Sequence, residues 1–155
     1  MTKVALALGG NLGNVKETFN IAVTQLKQNG FKIDKISSFH RTMPIDCPLD
    51  TPDFINGALT GDWPESAGSL LELCRRLEIT AGRPERHGVN LARTLDVDII
   101  LFGDRIICTD DLIIPHPRAA TRRFVLEPLF EIAPNWIFPD SGKSVAELFK
   151  RCNTI

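Results

Sequence analysis

Hydrophobic positions along the chain fall into short runs whose spacing switches between two and three-to-four residues. Val4-Ala5-Leu6-Ala7-Leu8 has the length and bulk of a strand, and Gly9-Gly10 is expected to stop it in a tight turn. Asn14 followed by Glu17 has capping-box spacing. From there Val15, Phe19, Ala22, Val23 and Leu26 recur on one face of a helix that Asn29-Gly30 ends. Residues 31–39 predict a strand, on an imperfect alternation of Phe31, Ile33 and Lys35. Pro44, Pro48 and Pro52 mark a long irregular loop, a feature that usually goes with function. Residues 54–60 predict another strand, and residues 66–80 a second amphipathic helix with Leu70, Leu71, Cys74 and Leu77 inward. An Arg/Gly loop over 82–92 leads into a strand over 95–102, and Gly103-Asp104 predicts a hairpin turn into a short strand over 105–108. A short helix fits 119–126, and Ser144 with Glu147 caps a last one. Strands and helices alternate but two hairpins interrupt them, which predicts an α+β sandwich with a mainly antiparallel sheet.

The 155 residues predict a single domain over the whole chain, and 43% apolar with 24% charged residues excludes disorder, collagen and coiled coil. The five-residue apolar run near the start is short of the ~20 residues of a membrane span and lacks the flanks of a secretory signal. A soluble cytoplasmic protein is therefore expected, with no membrane partner. Cys47, Cys74, Cys108 and Cys152 form no C-x-x-C, so free and mostly buried thiols are expected; the scattered His40, His87 and His116 suggest no zinc site.

Net charge is −1, which argues against a nucleic-acid partner. All seven lysines lie before residue 36 or after residue 142; between them, ten arginines face sixteen acidic residues, a local balance of −6. Eight arginines concentrate in two windows, Arg75, Arg76, Arg83, Arg86 and Arg93, then Arg118, Arg122 and Arg123. Each alone fits a solvated face or a salt bridge; both windows together favour phosphate, which the planar guanidinium fork suits.

The sharpest local signal is Leu95-Asp96-Val97-Asp98-Ile99-Ile100-Leu101-Phe102. On a strand, Asp96 and Asp98 share one face and Leu95, Val97, Ile99 and Leu101 the other. The carboxylates then stand roughly 6.5–7 Å apart, from a ~3.3 Å rise per residue, an unfavourable placement unless cations neutralise them. Hard oxygen donors beside phosphate suit Mg²⁺; the alternative is an exposed strand face with two solvated aspartates. Gly9-Gly10-Asn11-Leu12-Gly13 fits neither phosphate-loop pattern and reads as a turn. Phe54 and Asn56 set an aromatic and an amide on one strand face, which suits a flat heterocycle; taken alone, they read first as a core residue and a turn or sheet-edge residue.

The order G-[GS]-N-L-G-N, S-S-F-x-R-T-x-P, P-D-F-I-N, L-E-x-x-x-G-R, R-T-L-D-V-D-I-I-L-F-G, I-P-H-P-R and R-x-F-V-L-E-P-L-F-E-I-A-P resembles the 6-hydroxymethyl-7,8-dihydropterin pyrophosphokinases of folate biosynthesis, collinearly over about residues 4–139. The resemblance implies a ferredoxin-like α+β sandwich that transfers pyrophosphate from ATP to the pterin hydroxymethyl group and releases AMP. It implies two Mg²⁺ held by Asp96 and Asp98, bridging successive phosphates, with Arg83 and Arg93 on the triphosphate. By position it gives further ATP contacts to His116 and Arg122, and the adenine site to Ile99 and Ile113. Phe54 and Phe124 would sandwich the pterin, Asn56 would bond its polar edge, and the 42–46 loop with Thr42, Met43 and Ile45 would complete that edge. Small-molecule substrates and a monomer are expected.

Several positions depart from the family pattern. Gly10 replaces serine, and Met43 and Asp46 replace proline and glycine. In the lid segment Glu85 stands at a second arginine and Asn90 at a tryptophan, so weaker ATP binding or slower turnover is expected. The alternative those residues raise is a non-catalytic or altered-specificity paralogue that binds pterin or nucleotide. An RNA-binding module, the role of some related sandwiches, would need exposed aromatics and a basic excess, and the chain has no tyrosine.

Overall fold

Large and small side chains alternate along the first strand, β1 (Thr2–Gly10): Val4, Leu6 and Leu8 point one way, Ala5, Ala7 and Gly9 the other. A computed structural model of the chain describes residues 1–43, 52–82 and 94–152. After β1 come α1 (Val15–Gln28), β2 (Lys32–Ile36), β3 (His40–Thr42), β4 (Phe54–Trp63), α2 (Ala67–Thr80) and β5 (Asp96–Phe102). Two short strands, β6 (Ile107–Cys108) and β7 (Ile113–Ile114), precede a 3₁₀ turn (Ala119–Thr121) and α3 (Arg123–Ile132). A second short pair, β8 (Ile137–Phe138) and β9 (Lys143–Ser144), leads into α4 (Val145–Cys152).

The main sheet has the order β2-β4-β1-β5, with every neighbouring pair antiparallel and β3 added beside β4. Two split β-α-β units laid out this way make the ferredoxin-like arrangement. Helices α1 and α2 cover the face that carries Leu6, Leu59 and Val97. Helices α3 and α4 cover part of the opposite face, over Ala5, Ala58 and Leu101.

The predicted caps form. Asn14 Oδ1 accepts the Glu17 N–H at 3.2 Å, and Ser144 and Glu147 exchange reciprocal bonds at 3.1 and 3.2 Å. Other expectations shift for identifiable reasons. Gly9 and Gly10 lie within β1, paired with Asn56 and Ile55 of β4, so they make no turn. The expected alternation of β5 reverses at a bulge, because Leu6 pairs with Ile99 and Ala5 with Leu101, leaving Ile100 as the extra residue. Leu101 consequently packs under α3 and α4, on the side opposite Val97 and Ile99. The short strand after Gly103 pairs with β7 and not back on β5.

Helix α3 starts later than expected and runs through Pro128. Leu126 and Leu129 are fully buried, each contributing roughly 1.5–3 kcal/mol, which offsets the ~3 kcal/mol an internal proline costs. Among the described cysteines only Cys74 is buried, and burial pushes its thiol up and out of reactive range; Cys108 is exposed and Cys152 half-buried.

Gly61 of β4 is buried where β2 crosses, and a Cβ there would run into the Lys32 carbonyl and the Phe31 ring. Backbone cannot yield as a flexible side chain can. Gly61→Ala is expected to lower stability by about 1–3 kcal/mol in a urea melt; an unchanged midpoint would contradict this packing.

Candidate active site

Toward the end of β1 the second face of the sheet carries half-exposed residues, Ala7 and Gly9 of β1 and Asp96 and Asp98 of β5. Register sets its floor. Gly9 pairs with Asp96 on one side and Asn56 on the other, and Asn56 pairs in turn with His40 of β3. One step along, Ala7 pairs with Asp98 and Ala58. The central strand thus offers only Ala7 and Gly9 beneath whatever lies between the acidic edge and the amide. Two strand spacings of ~4.8 Å separate Asp96 from Asn56, about 10 Å between backbones. Gly9 leaves Asn56 its room: a Cβ there would stand 3.1 Å from Asn56 Oδ1, and the amide would have to shift by a few tenths of an ångström.

Asp96 and Asp98 are half-exposed on this face, held there because Leu95, Val97 and Ile99 are buried beneath. The Val97 N–H donates to Glu78 Oε2 of α2 at 2.9 Å, which fixes the backbone between the two aspartates. His116 joins them from the segment after β7. Its backbone N–H donates to the Ile100 carbonyl at 3.1 Å, and its Nε2 stands 4.0 Å from Asp98 Oδ2. His116 Nδ1 accepts the Arg118 N–H at 3.3 Å, so the neutral ring carries its proton on Nε2, toward Asp98. Burial lowers the His116 pKa, Arg122 and Arg118 add to that, and Asp96 opposes it. The ring is therefore neutral at pH 7.

At the other end, Asn56 is buried and its Nδ2 donates to Thr42 Oγ1 at 3.1 Å, while Phe54 lies opposite Thr42 in the β3–β4 register. The Arg122 guanidinium stands 5.4 Å from the centre of the Phe124 ring, which is 38% exposed. Met43 and Ile113 are exposed, whereas Ile99 is buried in the core on the far face of the sheet. Arg83, Arg93 and Ile45, with Asp46, Glu85 and Asn90, lie outside the described residues.

Sequence reasoning missed three polar anchors. Glu78 supports Val97 as above. Asn11 is buried and its Nδ2 donates to the Pro52 carbonyl at 3.1 Å, tying the residue after β1 to a point two residues before β4. Glu131 of α3 accepts bonds from Ser38 and His40. Each sits inside a motif read for its neighbours, and a carboxylate's backbone partner on a distant element leaves no periodic trace.

Two carboxylates on one strand face are a donor set that suits Mg²⁺, which keeps waters and substrate phosphates as its other donors. Among the described residues no cluster of three or more His, Cys, Asp or Glu exists to cage a metal without substrate. The site therefore offers hard oxygen donors at one end and an amide beside aromatic side chains at the other.

The folded pKa of His116 lies below its unfolded value, so this ring lowers stability as pH falls through 6.5 and has no such effect above it. An NMR titration of the ligand-free protein is expected to place its midpoint below 6.5, and Asp96→Asn to lower it further. A midpoint above 6.5 would contradict this geometry.

The chain is similar to proteins of known activity. It is 38% identical over 149 residues to a 2-amino-4-hydroxy-6-hydroxymethyldihydropteridine pyrophosphokinase of Synechocystis sp., covering 94% of this chain and 74% of that one. It is 36% identical over 154 residues to the enzyme of the same name from Haemophilus influenzae, covering 97% and 93%. A crystal structure of Plasmodium falciparum HPPK-DHPS wild type with pteroate shares the fold, with TM-score 0.75 at 13% identity over 97% of this chain; the chain spans 44% of that longer protein. The family model for 7,8-dihydro-6-hydroxymethylpterin-pyrophosphokinase matches residues 5–134, and the chain belongs to that family.

Proposed function

We propose that Asp96, Asp98, Arg83, Arg93 and Arg122 carry the nucleotide half of the family's reaction, and Thr42, Asn56, Phe54 and Phe124 the pterin half. The chain is an ATP-dependent pyrophosphokinase of folate synthesis, transferring pyrophosphate to the hydroxymethyl group of the dihydropterin. The hydroxymethyl oxygen attacks the β-phosphorus, the bond from that phosphorus to the α-phosphate oxygen breaks, AMP leaves, and the hydroxyl proton passes to solvent. The observation that carries the assignment is the row Asp96–Gly9–Asn56, which sets acidic edge and amide on one face of the sheet.

Two Mg²⁺ ions, when bound by Asp96 and Asp98, would supply charge neutralisation along the triphosphate. The rest is alignment, which dominates catalysis of phosphoryl transfer. Arg83, Arg93 and Arg122 bind phosphate oxygens. Neutral His116, donating from Nε2, bonds an acceptor without adding a cation. Asn56, its side chain fixed over Gly9, reads the polar edge of the pterin, and the two phenylalanines hold its faces. Thr42 shares that edge with the backbone of Met43 and Ile45. Ile113 takes the adenine by its exposed side chain, and Ile99 contributes to that site from its backbone. All these residues come from one chain, which supports a monomer and a single domain over residues 1–155. The nucleotide substrate supports a cytoplasmic location. Among the described residues no helix is long and apolar enough to cross a membrane.

A coupled assay for AMP tests the reading. AMP is expected only with ATP, Mg²⁺ and the pterin alcohol together, and Asp96→Ala or Asp98→Ala is expected to bring it to background. Near-normal turnover in either variant would remove the metal assignment. Saturable pterin and nucleotide binding by calorimetry, with no AMP formed, would instead identify a binding paralogue. Arg93→Ala is expected to slow turnover by about 10³–10⁵, the scale of an arginine acting on a transferring phosphoryl group, and a loss under tenfold would place Arg93 away from it.

A further inference from the structure

Strand β3 is three residues long and lies at the margin of the sheet, where so short a strand is weakly held by its own ladder. The chain reaches it through a break after β2. Ser37 spans that break, donating its N–H to the Ala58 carbonyl at 2.9 Å and accepting the Ala58 N–H on its Oγ at 2.9 Å. The next residues are anchored from the opposite layer. Glu131 Oε2 accepts the Ser38 N–H at 2.7 Å. Its Oε1 accepts the Ser38 hydroxyl at 2.6 Å and bonds His40 Nε2 at 3.0 Å. One carboxylate thereby takes three bonds from β3 and its approach. Desolvation works to raise the Glu131 pKa, but the bonds from Ser38 and His40 outweigh it, and the carboxylate stays charged.

Glu131 and Phe124 are seven residues apart on α3. At 100° per residue that is two turns less about 20°, so both stand on the same helix face, about 10.5 Å apart along the axis. His40 and Thr42 are two apart on β3 and share a strand face. Helix and strand form two rails. They are clamped at one end, where Glu131 meets Ser38 and His40. Seven residues from the clamp the helix carries Phe124, and two residues from it the strand carries Thr42, bonded to Asn56.

We propose that Glu131 is a positioning residue for the pterin: its clamp on Ser38 and His40 sets the gap between the α3 wall and the β3–β4 wall of the ring's slot. Glu131 touches no substrate. This inference rests on the pterin assignment above and adds the element that fixes the slot's width. ATP, held by β5 and the segments around it, does not depend on the clamp.

Steady-state kinetics on the full chain tests it. Glu131→Gln keeps the side chain's shape but turns an amide NH₂ toward one of the donors. The pterin KM is expected to rise roughly tenfold, the scale of one charge-assisted hydrogen bond lost, while the ATP KM stays within twofold. Ser38→Ala is expected to raise the pterin KM alone and to add nothing once Glu131 is glutamine. Glu127→Gln removes the same charge from α3, where Glu127 faces Arg123 at 3.5 Å, and is expected to leave both constants unchanged. If Glu131→Gln does not fold, the Ser38→Ala constants carry the test. Equal rises in both KM values, or an unchanged pterin KM in both variants, would overturn the clamp while pterin-dependent AMP release by the parent chain keeps the reaction assignment standing. Absence of that release in the parent would count against the reaction assignment itself.

Discussion

Two like charges held side by side on one strand govern this molecule. Leu95, Val97 and Ile99 are buried under β5, so the intervening aspartates have no freedom to turn away from each other or from the open face. Carboxylates at roughly 6.5–7 Å repel in the free protein, and each also loses water as the site fills. A cationic ligand at this edge would relieve that repulsion. The same strand then bulges at Ile100, and beyond the bulge its side chains return to packing under α3 and α4. One element serves binding at its first half and the core at its second.

The remainder of the sheet is arranged around this edge. Large residues on one face of β1 fill the α1–α2 core, and small ones on the other leave space for substrate. A glycine stands where Asn56 pairs with β1, and an alanine where Asp98 does. Ferredoxin-like topology places the two outer contributors, β5 and the β3–β4 pair, on either side of that central strand. The ~10 Å between acidic edge and amide follows from sheet spacing alone, without any specialised loop.

Much of this was legible in the sequence, because burial on a strand or helix leaves a period. The Val4–Leu8 alternation, the α1 and α2 stripes, both capping boxes and the facing of Asp96 and Asp98 are local consequences of side-chain direction. Failures came where tertiary contacts overrode a local rule. Gly9-Gly10 resembles a turn until the Asn56 side chain is seen to occupy the space of a Cβ. Pro128 resembles a stop until the burial of Leu126 and Leu129 is counted. The Ile100 bulge is invisible without its partner strand. Family resemblance singled out Asn56 and His116 as site candidates, while Glu78, Asn11 and Glu131 emerged only from geometry, since each bonds backbone or side chains far away in the chain.

The account turns on whether the acidic edge of β5 receives metal ions together with the nucleotide. A crystal structure of the chain with Mg²⁺, a non-hydrolysable ATP analogue and the pterin alcohol tests this most directly. Both Asp96 and Asp98 carboxylates are expected to coordinate Mg²⁺ that is also bound to phosphate oxygens. Ions held by phosphate alone, with both carboxylates turned to solvent, would contradict it.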